Sequence, residues 1–520
     1  MKQINLIPNF LVAGMLFLST SCSDFLEEYS QDKAQIETWE DLDELLLGDG
    51  HLEPCLFANS SADEVHNNLD ILHFMSDELK ESTANESSDD LLAYRTNQFA
   101  FFTWQQDTGV DDKQNYVGGD EIYWNMLYEK INTCNMVLAL IDEQSATDEE
   151  DVYGKERVKG EAHFLRAAYY FLLANLYAQP YDPQTASSSP CVPIKLTEYV
   201  EDKEYRRESL SAVYAQVLDD LDQAEICLQG KERVSVYHPD LTATYLLRSR
   251  VYLYMQNWQA AAEDASRVLA RQNGLLDLHT LPEGQDAVYR DSPETIFSMG
   301  GYLIAVAFAD YETWLGFSYN TSWLISDDMM ALFKHDDLRT ERYIGETENF
   351  HQQPVLKKVN GQESAWGGYD EVSDCFLLRT PEAYFTLAEA SVYLNDETTA
   401  RQTLEDFLAT RMETPITVTE SGNELIDFIR EERAREFLLE GHRWFDLRRY
   451  TVCQPYPWSK SIEHYHVYFD GVDPLYSDWY RLEPNDAAYT LPIPRAIREF
   501  QISIGNNIRP VRQPFKTENY

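Results

Sequence analysis

Between Glu431 and Arg449 the chain sets acidic and basic side chains at three- and four-residue spacing: Glu431, Arg433, Arg435, Glu436 and Glu440, then, past Gly441, Arg443, Asp446, Arg448 and Arg449. Within this run Glu440, His442 and Asp446 have the side-chain types of a general acid/base site. Interleaved Phe437, Leu438, Trp444 and Phe445 point elsewhere, because a helix face that mixes such residues with charge buries part of that charge as ion pairs. Arginine suits buried pairing, since its planar fork binds a carboxylate through two hydrogen bonds. The reading is therefore structural: a lattice of ion pairs, with His442 a satisfied histidine and no catalytic residue.

A second set of residues could hold a flat ligand. Trp104 is followed by Gln105, Gln106 and Asp107, with Asp77 and Arg95 upstream; Tyr302, Trp314, Tyr319 and Asn320 fall among glycines and serines; Trp366 sits in SAWGGYDE. Aromatic rings supply apolar faces for stacking, and Asn, Asp and Arg supply directed hydrogen bonds. These eight residues, Trp104, Trp314, Trp366, Tyr319, Asn320, Tyr302, Arg95 and Asp77, are the candidate ligand contacts. Phe99, Phe101, Phe102 and Trp323 are expected in the core. The acidic pairs Asp89-Asp90, Asp111-Asp112 and Asp327-Asp328 offer hard oxygen ligands, but their spacing matches no calcium loop. No metal site and no cofactor are expected.

Cys22 carries a different chemistry. It closes an apolar run from Phe10 to Leu18 followed by Ser19, Thr20 and Ser21, the small residues a signal peptidase accepts, and the chain beyond it is polar and acidic. The run is shorter than the ~20 residues of a membrane-spanning helix. Residues 1–21 read as a lipoprotein signal peptide that is removed, with Cys22 as the lipidated first residue. The remaining cysteines are scattered, with no C-x-x-C pair and no Cys/His cluster at metal-ligand spacing, and are expected as buried thiols.

Composition narrows the partners. With 89 acidic against 42 basic residues and a net charge of −47, the chain lacks the basic surface that nucleic acid requires. The same charge disfavours direct adhesion to anionic lipid and leaves anchoring to the acyl chains on Cys22.

The elements that must position these residues are helical. Ala162, Leu165, Tyr169, Leu172 and Leu176 step by three and four, as do Val213, Val217, Leu221 and Ala224. The segment from Ala243 places Trp258, Ala261, Ala265 and Val268 where a tetratricopeptide repeat packs its second helix, after a turn at Gln256-Asn257. A single hairpin cannot bury its own face, so hairpins at about 124–141, 159–228, 243–270 and 381–408 are expected to stack. They do not recur at the period of roughly 34 residues of an uninterrupted array. Long insertions at about 82–121, 274–343 and 345–374 interrupt them and are expected to form the ligand face. The stretch 455–489 is a further aromatic, turn-rich segment. The fold class is thus mainly α: a tetratricopeptide-like helical-hairpin scaffold with loop-rich insertions, one domain over 22–520.

Taken in order, several segments resemble the SusD/RagB family of outer-membrane nutrient-binding lipoproteins from Bacteroidetes. They are CSDFLEEYSQD from Cys22, WNMLYEKINTCNMVL from Trp124, GEAHFLRAAYYFLLANLYAQPY from Gly160, SDDMMALFKHDDLR from Ser326, FLLRTPEAYFTLAEASVYL from Phe376, ERAREFLLEGHRWFDLRRY from Glu432, and LPIP at Leu491 to Pro494. FLATRM keeps only the arginine, Arg411, of the family's Asn-x-x-Arg pattern, and the chain ends without Gln-Asn-Pro. The resemblance implies a non-enzymatic lipoprotein on the cell surface that binds oligosaccharide or polysaccharide and delivers it to a SusC-type TonB-dependent transporter. A peptide ligand, as in the RagB branch, is the alternative. A glycoside hydrolase is more remote, since that chemistry needs two carboxylates held across a scissile bond.

Overall fold

Asp148 fixes where the longest helix begins: its carboxylate accepts from the amides of Glu150 and Asp151, and acidic side chains fill the first turn. In the computed structural model that helix runs Glu149–Tyr177. The structure describes residues 36–52, 69–83, 96, 98–299, 311–312, 318–319, 323–347, 352–359, 376–471 and 473–520. The helix starts well ahead of Lys159, where the apolar stripe begins, because its first turns are polar and leave no periodic signal.

The longer helices, in chain order, are α1 (Trp39–Gly48), α2 (Ile122–Leu140), α3 (Glu149–Tyr177), α4 (Leu210–Leu228), α5 (Leu241–Tyr254), α6 (Trp258–Arg271), α7 (Thr380–Tyr393), α8 (Glu397–Leu408), α9 (Gly422–Glu436) and α10 (Arg443–Tyr450). Each from α2 to α7 packs on the next, and α7 also packs on α9. This is the mainly α, tetratricopeptide-like stack. Residues Trp39–Tyr520 form one compact unit.

Small residues set the helix spacing. A Cβ on Gly160 would lie 2.7 Å from Leu228 Cγ, so only glycine admits α4 this close to α3. Ala167, Ala168 and Ala174 are buried along the same helix. The α5–α6 turn falls where expected: Gln256 takes φ of +61° and Asn257 caps the Ala260 amide. Ala261, Ala265 and Val268 are buried, and Trp258 stacks on Tyr393 of α7 at 3.9 Å and 8°. That stack carries the scaffold across residues 272–379, which separate α6 from α7 in sequence.

Phe99, Phe101, Phe102 and Trp323 lie in the core as expected, and other described parts of the insertions join them there. Phe99 and Phe102 have no exposure and Trp323 is 1% exposed. Phe74, Leu79, Phe102, Trp323, Met329, Leu356 and Leu438 form one core cluster, and Leu276, Leu278, Leu281 and Tyr343 another. Short apolar runs like these show no period, so composition alone made them look like loop. The segment 455–489 is also corrected, since most of it is strand. Here β1 (Leu79–Glu81) pairs antiparallel with β2 (Trp323–Ile325), while β3 (Ile462–Asp470), β4 (Asp473–Leu482) and β5 (Lys516–Asn519) form a sheet in the order β5-β4-β3.

Cys134, Cys191 and Cys453 are buried free thiols and Cys227 is a half-buried one. Among the described residues no helix is long and apolar enough to cross a membrane.

Candidate functional site

The Glu431–Arg449 run folds as two helices, with α9 ending at Glu436 and α10 beginning at Arg443. The break is wider than Gly441 alone: Leu439 and Gly441 take φ of +54° and +75°. Through this turn the charges close on one another. Glu436 accepts from Arg411 Nε at 3.0 Å and from Arg379 Nη1 at 3.1 Å. Glu294 bonds the same two arginines at 2.6 and 2.7 Å. Glu440 is held by Arg379 and Lys358. Asp446 joins Arg433 to Arg449, each at 2.7 Å, and Arg449 clasps Glu389 of α7. Burial alone would raise the pKa of Glu436, but Arg411 and Arg379 hold it well below the usual carboxylate range. Desolvation, then Arg250 and Arg433, push His442 far below an ordinary imidazole. The run is thus a scaffold clamp, as its composition indicated: Glu440 and Asp446 are committed to arginines, and His442 stays neutral.

The clamp reaches toward the insertions through the segment ahead of β1. Arg443 holds Asp77 through two bonds of 2.7 and 2.8 Å, and Lys460 reaches it at 2.6 Å. Asp77 is 3% exposed; burial would raise its pKa, but Arg443 and Lys460 hold it well below the carboxylate range. The next residue, Glu78, accepts the Leu439 amide at 2.7 Å. Asp77 is therefore a strut between the clamp and β1, which corrects its placement as a ligand contact.

Trp104 is corrected in the same way. Its indole has no exposure, stacks on His464 at 4.4 Å and donates from Nε1 to the Met75 carbonyl at 2.9 Å. The polar neighbours that suggested a wet loop are themselves engaged: Gln105 is buried, and Gln106 donates to the Arg509 carbonyl. Arg95, Tyr302, Trp314, Asn320 and Trp366, like Cys22, lie outside the described residues. Tyr319 is described in its backbone, which pairs with Tyr311 in a short antiparallel ladder.

What the structure does fix is the frame from which those segments depart. β1 ends at Glu81 opposite Trp323, the first residue of β2, so the chain leaves toward 84–95 and returns from 320–322 at adjacent points. Glu81 has no exposure. Its carboxylate binds His466 Nδ1 at 2.7 Å and accepts the Val467 amide at 2.8 Å, and its carbonyl accepts the Tyr465 hydroxyl at 2.8 Å. On the other side of 84–95, Phe99 lies edge-on to His466 at 5.0 Å. Both anchors of that segment thus rest on the same histidine of β3.

Farther out on the same face of the sheet, Tyr468 and Tyr476 stand directly opposite each other and stack at 4.5 Å and 19°, both half-buried. Asp112 approaches His466 Nε2 at 3.8 Å, and Asp478 bonds the Thr517 hydroxyl at 2.5 Å. Sequence reasoning named Asp112 only as half of an acidic pair and did not name Tyr468, Tyr476 or Asp478. The signal was present as alternation, YHVYF against YSDWY. Of the acidic pairs, Asp111 caps the amides of Lys113 and Asn115, while Asp327 and Asp328 pair with Lys80 and Lys460.

Among the described residues, ligand atoms of Asp43, Glu161 and His238 lie within 4.8 Å of one another, the geometry of a small metal site. The Arg157 guanidinium already fills it, at 2.6 Å from Asp43, 2.7 Å from Glu161 and 3.1 Å from His238. The positive charge that these groups require is supplied by the protein.

Two family models match the chain. One, described as "Starch-binding associating with outer membrane", matches residues 56–253; the other, described as "SusD family", matches residues 339–499. No curated protein matches the chain. Among solved structures, a SusD superfamily protein from Bacteroides thetaiotaomicron has 20% identity and a TM-score of 0.68, over 91% of this chain and 100% of its own. A putative sugar binding protein from Bacteroides vulgatus has 19% identity and a TM-score of 0.68, over 91% of this chain and 98% of its own. A SusD-like carbohydrate binding protein from the same organism has 19% identity and a TM-score of 0.67, again over 91% and 98%. The helical stack, the buried signature and the two family matches agree, and the chain belongs to the SusD/RagB family.

Proposed function

We propose that the protein is a non-enzymatic, cell-surface lipoprotein, anchored through Cys22 after removal of residues 1–21, that binds oligosaccharide or polysaccharide and passes it to a SusC-type TonB-dependent outer-membrane transporter. The observation that carries this reading is the pair of family matches in chain order over 56–253 and 339–499, one of them described as starch-binding and associated with the outer membrane. Solved structures of the same fold include a putative sugar binding protein and a SusD-like carbohydrate binding protein, which supports a glycan ligand. Commitment of Glu440, His442 and Asp446 to internal contacts removes the one constellation that invited a catalytic reading.

Trp314, Trp366, Tyr302, Tyr319, Asn320 and Arg95 remain the proposed ligand contacts. Sugar rings have apolar faces that lie on aromatic rings, with hydroxyls for the polar side chains, so each contact contributes modestly and a preorganised surface limits the cost of binding. Affinity gel electrophoresis of the purified protein against plant, host and microbial polysaccharides tests the reading. Retardation by one glycan class, lost in Trp314→Ala or Trp366→Ala, is expected. Failure of every glycan to retard the protein overturns it in favour of a peptide ligand, to be sought in a peptide library.

A further inference from the structure

We infer that the outer end of the β3–β4 hairpin carries a second carbohydrate contact, a pyranose subsite built from Tyr468 and Tyr476 with Asp112 and Asp478. This inference rests on the glycan-binding reading and adds Tyr468, Tyr476 and Asp478, which neither the sequence motifs nor the family resemblance singles out.

The two strands change character along their length. On the face toward the core, Ile462, His464 and His466 are buried opposite Leu482, Tyr480 and Asp478, and His464 lies stacked between Phe102 at 4.1 Å and Trp104 at 4.4 Å. Those rings are consumed by the core. One pair farther out, Tyr468 and Tyr476 keep part of their surface in water, stacked on each other and with His466 edge-on to Tyr468 at 4.8 Å. Their positions are set by the backbone, because they are cross-strand partners, and the ladder breaks immediately beyond them: Leu475 is an extra residue between the pairs Pro474–Phe469 and Tyr476–Tyr468. A bulge at this point ends the regular pairing and fixes the aim of the last pair, a placement common beside binding sites.

The polar complement is also present. Asp478 stands two residues from Tyr476 on the same face of β4, and Asp112, carried by the 107–117 loop, lies 3.8 Å from His466, whose ring meets Tyr468; burial first, then Tyr480, Asp478 and Asp112, raises the phenol pKa of Tyr468, and burial, then Asp478 and Asp112, that of Tyr476. Phenol hydroxyls donate and carboxylates accept, which is the pattern that adjacent hydroxyls of a sugar ring satisfy. The rings also stand beside the frame from which 84–95 departs, because His466 touches Tyr468 and also binds Glu81.

The test compares Tyr476→Ala, Tyr476→Phe and Asp112→Asn with the unaltered protein, titrated with the glycan that retards it, with thermal unfolding run on each variant. Tyr476→Ala is expected to weaken binding by roughly three- to tenfold, Tyr476→Phe less, with unfolding unchanged. Nitration of the unaltered protein by tetranitromethane, mapped by mass spectrometry, is expected to show Tyr476 protected when that glycan is bound. Full affinity in Tyr476→Ala together with unprotected Tyr476 overturns the subsite and leaves the glycan reading standing. Absence of binding to any glycan overturns both.

Discussion

Trp104 shows how one side chain can look like a ligand contact and be a keystone instead. Its backbone takes φ of +52°, its indole nitrogen is spent on Met75 and its face on His464. Trp104→Ala is expected to cost about 3–5 kcal/mol in urea unfolding, the range for emptying a buried aromatic site, and to leave the affinity of the folded fraction unchanged. His464 beneath it makes a second test. Burial lowers His464 and His51 from 6.5 to about 4 each. Both folded values lie below the unfolded one, so between pH 6.5 and 4 the unfolded chain takes up protons that the folded chain refuses. Stability is fully present above pH 6.5 and should fall as pH drops, by up to ~1.4 kcal/mol per pH unit for each imidazole. Urea midpoints at pH 7.5, 6.5, 5.5 and 4.5 measure it, and a flat series would contradict neutral burial. Neither residue's fate was legible in the sequence. Polar Gln105 and Gln106 are neighbours of Trp104 along the chain, whereas Met75 and His464 are neighbours only in space; Asp77 and Arg443 meet across a separation of 366 residues.

At the scale of elements, the stack holds together through few kinds of contact. Arg411, the remnant of a loosely kept motif, has no exposure and joins Glu294 to Glu436. Arg411→Met is expected to cost about 3–5 kcal/mol, because two buried carboxylates lose a partner at once. Asn257→Ala removes the cap of α6 and should cost about 1 kcal/mol, with α6 the region of increased hydrogen exchange. α4 was readable to within a residue or two from period, and α6 from the repeat-like placement of Trp258, Ala261, Ala265 and Val268 after a turn. The start of α3 was not, because a cap and charged first turns carry no period. β3 and β4 escaped notice because their aromatic residues suggested turns and platforms when they were alternating across a sheet.

Across the whole molecule, a net charge of −47 opposes compactness, while the arginine lattice inside is shielded from added salt. Raising NaCl from 10 to 150 mM should therefore increase Tm by a few degrees in calorimetry, and a decrease would mean that exposed ion pairs outweigh self-repulsion. The architecture as a whole was legible, since stacking follows from hairpins that cannot bury their own faces. The proposed ligand face was less so, because the inferred hairpin residues belong to a sheet that was read as turns and the other candidates to insertions. One detail of the frame reaches past this chain. Glu81 and Phe99 grip the same histidine, so whatever runs between Thr83 and Thr96 begins and ends at clamped points. Closing a longer segment between such points costs only about 0.6 kcal/mol per doubling of its length. An insert of another length can therefore be housed between these points with the frame left as it is, the way a fixed socket takes interchangeable fittings.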